Sequence, residues 1–213
     1  MRIHTRSIPF VFALGVAVAI ASPALAGAPT DQIKQQVDKT LQVLEDPTLK
    51  NNLAERHARV RKLMEEIFDY QDTARRALGP HWNARTPQER EEFSRLFADI
   101  LDRAYVSKID LYQGEKVSYT GETINGDEAT VKTKIITPKG TEVPVDYRSH
   151  VKDGRWKVYD VLIEGVSLVS NYRTQFNKVV TSESYDALVQ RLRAKDAEPA
   201  ASPGDTSGRK SSR

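Results

Sequence analysis

Three turn signals, Asn125-Gly126, Pro138-Lys139-Gly140 and Asp153-Gly154, constrain this chain more than any other feature. They cut the stretch ending at Ile163 into four short runs of period-two hydropathy. Runs separated by so few residues pair as antiparallel hairpins, so the expectation is a four-stranded meander. In the second run Ala129, Val131, Thr133 and Ile135 share a face opposite Lys132 and Lys134. In the third, Val143, Val145, Tyr147 and Val151 oppose Asp146, Arg148 and Lys152. Such a sheet has one dry and one wet face. The fourth run is apolar on both sides. Strict alternation sets Trp156, Val158, Asp160 and Leu162 on one face and Tyr159, Val161 and Ile163 on the other, so each side needs a cover.

Helical periodicity flanks the meander. Ile33, Val37, Leu41 and Leu44 form a stripe that ends before Pro47, and Leu53, Val60, Met64, Ile67 and Phe68 form a second. A short third helix with Ala74, Ala77 and Leu78 stops at Gly79-Pro80. Thr86-Pro87-Gln88-Glu89 has the residues of a capping box with proline at the first helical position. The long helix it opens carries Phe93, Leu96, Phe97, Ile100, Leu101, Ala104, Tyr105 and Ile109 on one broad face. Beyond Glu164-Gly165 the helical period returns with Leu168, Val169, Tyr172, Phe176 and Val180, then with Tyr185, Leu188, Val189 and Leu192. Helices, a meander and helices again describe an α+β fold: N-terminal helices, a four-stranded antiparallel sheet and C-terminal helices packed on one sheet face.

The ends read differently. Met1-Arg2-Ile3-His4-Thr5-Arg6 is a basic start, Ile8 to Ala21 is apolar but shorter than a membrane span, and Ala24-Leu25-Ala26 is a small-x-small cleavage pattern. The expectation is a cleaved signal over 1–26, one domain over 27–195 and a disordered tail over 196–213, rich in Ala, Ser, Pro and Gly. The chain has no cysteine, so its stability must come from packing even in an oxidising compartment. Without Arg2 and Arg6, 30 basic residues face 29 acidic ones, interspersed along the helices. No basic stripe suited to nucleic acid emerges.

Catalytic equipment is sparse. His57, His81 and His150 stand apart, without ligand spacing for a metal. There is no glycine-rich phosphate loop and no G-x-S-x-G elbow around Ser167. Asp160, among apolar strand residues, fits either a proton-abstracting acid in a pocket or an ion pair with a nearby arginine. No cofactor is expected. On pattern alone the stripe Phe93, Phe97, Tyr105 fits ordinary core packing better than a ligand wall.

Two stretches carry a family resemblance. Phe68-Asp69, Ala74-Arg75-Arg76-Ala77-Leu78-Gly79, Trp82, Thr86-Pro87-Gln88-Glu89-Arg90 and Phe93 form the first. The second is Trp156-Lys157-Val158-Tyr159-Asp160-Val161, Glu164-Gly165-Val166-Ser167-Leu168-Val169, Asn171-Tyr172-Arg173 and Gln175-Phe176. Together they resemble the MlaC family, also called toluene-tolerance auxiliary proteins, from Asp31 to about Leu192. The serine- and proline-containing tail is not part of that pattern.

The resemblance implies a soluble, monomeric periplasmic carrier that takes phospholipid between an outer-membrane lipoprotein–porin complex and an inner-membrane ABC transporter with an MCE-domain ring. One branch of the family is associated with hopanoids, so a hopanoid-associated lipid carrier is the alternative; a small pocket enzyme using Asp160 is a further one. A carrier answers a physical need: moving two acyl chains of ~15 carbons through water costs on the order of 20 kcal/mol at ~0.8 kcal/mol per methylene. A cavity between sheet and helices would keep both tails dry. Its expected wall is Val131, Ile135, Val145 and Tyr147 of the sheet, Phe97, Leu101 and Tyr105 of the long helix, and Val169, Tyr172 and Phe176 of the later one. Trp82 fits either the mouth of such a cavity or an anchor for its own loop. Arg75 and Arg76 fit an exposed helix face or an anionic partner.

Overall fold

The computed structural model describes residues 28–106 and 110–197. The expected signal and nearly all of the expected tail lie outside the described residues, as does Ile109. Among the described residues six α-helices and five strands follow one another as α1 Pro29–Glu45, α2 Leu53–Ile67, α3 Tyr70–Leu78, α4 Pro87–Val106, β1 Lys116–Asn125, β2 Glu128–Ile136, β3 Glu142–Lys152, β4 Arg155–Ile163, β5 Val166–Ser167, α5 Leu168–Ser182 and α6 Tyr185–Ala197, with a 3-10 turn at Gly79–Trp82 between α3 and α4.

Local chemistry sets the helix boundaries. The Thr86 hydroxyl accepts from the Glu89 N–H at 3.2 Å and the Glu89 carboxylate accepts from the Thr86 N–H at 2.7 Å, which closes the capping box at the start of α4. Asp69 caps α3 and Ser167 caps α5 in the same way, each accepting from the N–H three residues on. At the end of α3, Gly79 turns the chain with φ +59°, a conformation side chains rarely adopt. Leu53, expected on the apolar stripe of α2, is 47% exposed at the helix start.

The sheet is antiparallel throughout, in the order β1-β2-β3-β4-β5. The fifth strand is a correction to the expected four. It arises because Glu164 and Gly165 both take positive φ, +50° and +80°, and fold the chain back as a two-residue hairpin. Glutamate is an unusual residue there, so the turn is hard to read from sequence.

A second correction concerns β4. Arg148 pairs with Asp160 but Ser149 pairs with Val158, leaving Tyr159 as an extra residue on β4. This bulge reverses the alternation beyond it. Trp156, Val158, Val161 and Ile163 thus lie opposite Val151, Ser149, Tyr147 and Val145 on the inner face, while Asp160 moves to the face of Arg148.

Two cores result. Ile33 of α1 packs on Val131 and Val158, with Val37, Ile67, Phe68, Tyr119, Tyr147 and Val161 around them. Helices α3 to α6 build the other from Ala74, Ala77, Leu78, Phe93, Leu96, Phe97, Phe176, Tyr185, Leu188 and their neighbours. Trp82 belongs to this second core at 6% exposure, and the Arg90 guanidinium donates to its carbonyl at 3.1 Å. Trp82 therefore anchors its loop. Among the described residues no helix is long and apolar enough to cross a membrane.

Candidate functional site

The space between the two cores is a cavity of about 400 Å³, a volume within the ~300–1,000 Å³ typical of small-molecule sites. Helix α1 contributes Ile33 and Val37, and α2 contributes Val60, Met64 and Ile67. Phe68 follows from the linker, and Phe97, Leu101 and Tyr105 line up along one side of α4 at four-residue steps. The sheet supplies Val117, Ile135, Tyr147, Val158, Val161 and Ile163, and the start of α5 supplies Leu168 and Val169.

Val60, Thr73, Val158 and Phe97 are buried where they line the cavity. Tyr105, 36% exposed, and the half-buried Leu101, Val117, Ile135 and Ile163 form its less covered part. Burial pushes the phenols of both Tyr105 and Tyr147 up to about 12, so both stay neutral donors in this wall.

Of the ten residues expected on the wall, the structure brings Phe97, Leu101, Tyr105, Ile135, Tyr147 and Val169 to the cavity. The other four lie elsewhere. Val131 is fully buried beneath Ile33 in the sheet-side core. Val145 is closed in at 5% exposure, opposite Thr133 and Ile163. Phe176 sits within the helical core, its ring 5.6 Å from Phe93 and 5.2 Å from Phe97, and Tyr172 meets Phe97 edge-on at 4.9 Å. Phe97 is therefore shared: one side feeds the aromatic cluster and another faces the cavity. The contributions of α1 and α2 were not anticipated, although their apolar stripes are plain in the sequence.

Asp160 is almost wholly buried, and both of its oxygens are engaged. Oδ2 accepts from Ser167 Oγ at 2.6 Å and from Arg148 at 3.5 Å; Oδ1 accepts from the Val169 N–H at 3.1 Å. It ties the end of β4 to the start of α5 and has the ion pair that one of its two readings foresaw. Arg76 is engaged as well, with its guanidinium on Asp72 and 3.6 Å over the Tyr159 ring, while Arg75 also pairs with Asp72. Among the described residues no group of three or more His, Asp or Glu side chains is placed to hold a metal ion.

The cavity is apolar and built between one face of the sheet and helices that precede and follow it in the chain. Residues 34–194 match the family model described as MlaC protein. The chain belongs to the MlaC family. Among relatives, the MlaC-named intermembrane phospholipid transport system binding protein of Haemophilus influenzae is 23% identical over 129 residues, 58% of this chain and 60% of that protein. The toluene tolerance protein ttg2D of Pseudomonas putida is 26% identical over 92 residues, 43% of each chain. These alignments thus span less than two thirds of either relative.

A solved structure covers more of the MlaC-family fold. The phospholipid-binding protein from Ralstonia solanacearum, determined in complex with a phospholipid at 1.53 Å, superposes with a TM-score of 0.72 and 27% identity. The match covers 80% of this chain and 98% of that one.

Proposed function

We propose that this MlaC-family protein is a carrier of phospholipid, a binding protein and not an enzyme, that works in the periplasm. The observation that carries the reading is the apolar cavity between the two cores, lined by the buried Phe97 and Val158 and by the more exposed Tyr105. A lipid placed there keeps its tails against Ile135, Tyr147, Phe97 and Leu101 and its head group toward water. Burying methylenes at ~0.8 kcal/mol each gives such a site its affinity. The phospholipid bound by the Ralstonia relative and the transport role in the Haemophilus relative's name support the same ligand class.

In this reading the protein receives lipid from, or delivers it to, an inner-membrane ABC transporter with an MCE-domain ring and an outer-membrane lipoprotein–porin complex. The signal over 1–26 routes it there. Transfer requires that docking lower its affinity for the tails, since a partner shifts the equilibrium only through differential binding.

The test is delivery. Protein loaded with fluorescent phospholipid is mixed with proteoliposomes containing the MCE-type transporter and with liposomes of the same lipids lacking it. Faster transfer to the transporter-containing population is the expected result. Equal transfer to both removes the transporter as partner, and failure to load at all refutes the carrier.

A further inference from the structure

A second recess, polar where the lipid cavity is apolar, lies on the other face of the sheet. It is a cleft of about 460 Å³ where the sheet, the end of α3 and the start of α5 come together. One row of residues crosses it from strand to strand: Thr123 pairs with Thr130, Thr130 with Arg148, and Arg148 with Asp160. Residues paired in this way share a face, and it is the face opposite the row Val131, Tyr147 and Val161. Arg76 in the last turn of α3 and Arg173 of α5 bring two more guanidinium groups to the same cleft.

The three arginines are not equally engaged. Arg76 is held by Asp72, Glu128 and the Tyr159 ring. Arg148 is held loosely: it meets Asp160 at 3.5 Å, a long hydrogen bond, and that carboxylate already has the Ser167 hydroxyl and the Val169 N–H. The Arg148 side chain is 43% exposed against 3% for Asp160. Arg173 donates its Nε to the Arg76 carbonyl at 2.7 Å, which fixes the group in place, and among the described residues no carboxylate pairs with it. A guanidinium has five N–H donors, so Arg148 and Arg173 both have donors left over.

Guanidinium groups at close range select oxyanions, and a carboxylate matches their planar fork in two hydrogen bonds. An anionic bilayer is a poorer match. Lipid surfaces attract clusters of about 4–8 basic residues, whereas Glu128 and Asp160 stand among the three arginines here. A carboxylate on a protruding side chain can enter a recess that a flat surface cannot.

From this geometry we infer that the cleft is a docking site for an acidic segment of a partner protein, one of whose carboxylates pairs with Arg173 and Arg148. The inference rests on the carrier reading above, which requires a protein partner. Tyr159, Asp160 and Val169 line both the cleft and the lipid cavity, so a partner seated here lies against the outside of the cavity wall.

The experiment uses the signal-cleaved, lipid-loaded chain and a double variant, Arg148→Gln with Arg173→Gln. Glutamine keeps an N–H donor for Asp160 and for the Arg76 carbonyl but has no charge. A control pair, Lys39→Gln with Lys62→Gln, removes the same charge from α1 and α2. Binding is measured to proteoliposomes with the MCE-type transporter, to proteoliposomes with the lipoprotein–porin complex, and to bare liposomes of phosphatidylethanolamine and phosphatidylglycerol.

The arginine variant should bind one of the two complexes roughly tenfold more weakly, the loss expected of one charge-assisted pair, with its lipid content unchanged. The lysine variant should bind as the unaltered protein does. Should the double variant fail to fold, Arg173→Gln alone, at an exposed position, decides by a loss of a few-fold. Unchanged binding to both complexes, or an equal loss in the lysine variant, overturns the docking site. So does an equal loss toward bare liposomes, which would make the partner a membrane. An unaltered protein that holds lipid but binds neither complex overturns the docking site and leaves lipid binding standing; one that never loads lipid overturns the carrier itself.

Discussion

The Lys152 ammonium donates to Asp69 Oδ2 at 2.7 Å, joining the last residue of β3 to the residue that opens α3. The same carboxylate accepts from the Asp72 N–H at 3.0 Å and engages His150 at 3.1 Å, and the Asp69 N–H donates to the Val158 carbonyl at 2.8 Å. The Asp69 side chain thus caps a helix and pins it to β3, while its backbone N–H pins it to β4. Asp69→Ala removes the cap and breaks an ion pair that is buried on its Asp69 side alone, and should cost about 2 kcal/mol, measured by urea denaturation. A loss below about 1 kcal/mol would mean that the cluster is dispensable.

The same residue predicts acid behaviour. Burial pushes Asp69 up, but hydrogen bonds from Lys152, the Asp72 N–H and His150 outweigh it and hold the carboxyl below its ordinary value of 3.8. A carboxylate whose folded pKa is depressed stabilises the fold above its unfolded pKa. That contribution is lost as pH falls below about 3.8 toward the folded pKa. Asp69→Ala should therefore show a smaller drop in stability between pH 5 and pH 3 than the unaltered protein. Equal drops would place the acid sensitivity elsewhere.

Wall and core respond differently to charge. Ile135 faces the cavity and is half-buried, so Ile135→Glu should leave a folded protein with reduced lipid occupancy, its carboxylate standing in the less covered part. Val145 is closed in, so Val145→Glu should lower stability by more than about 3 kcal/mol. Melting temperature and extracted lipid, read on both variants, check the pair. A folded and empty Val145→Glu would put Val145 on the wall.

All eight tyrosines have phenols held above the ordinary 10.0, in each case with burial as the largest cause. The folded protein keeps these protons above pH 10, where the unfolded chain releases them. Stability is full below pH 10 and falls as pH rises toward 12. Tyrosinate absorbance should appear together with loss of circular dichroism. Ionisation of most tyrosines near pH 10 with the dichroism intact would contradict their burial.

Asp160→Asn tests the enzymatic alternative. Asparagine turns an NH2 group toward donors that now meet a carboxylate, Ser167 Oγ, the Val169 N–H or Arg148. Stability should fall by about 1–3 kcal/mol while the protein still binds lipid. A fully stable variant that has lost turnover of a small hydrophobic substrate would restore Asp160 as a catalytic acid.

Much of this architecture was legible because the relevant signals are local. The capping box at Thr86 and Glu89, the stop at Gly79-Pro80 and the three hairpin turns each depend on a few neighbouring residues, and the structure has them where the pattern set them. What failed depends on longer-range pairing. The bulge at Tyr159 is invisible to a period-two reading, yet it moves Asp160 to the opposite face. The turn at Glu164-Gly165 lacks the usual Asn or Asp. Distinguishing Ile135 from Val131, or Phe97 from Phe176, requires knowing where α1 lies across the sheet and where the two cores part, and alternation assigns both members of each pair to the same class.

The central claim is that the cavity holds lipid. Native mass spectrometry of the protein released from the periplasm without detergent tests it most directly. The account predicts a main species heavier than the signal-cleaved chain by the mass of one diacyl phospholipid, which dissociates on activation and is identified by its head group. A chain that appears only at its own mass, and stays there after incubation with phospholipid vesicles, would contradict it.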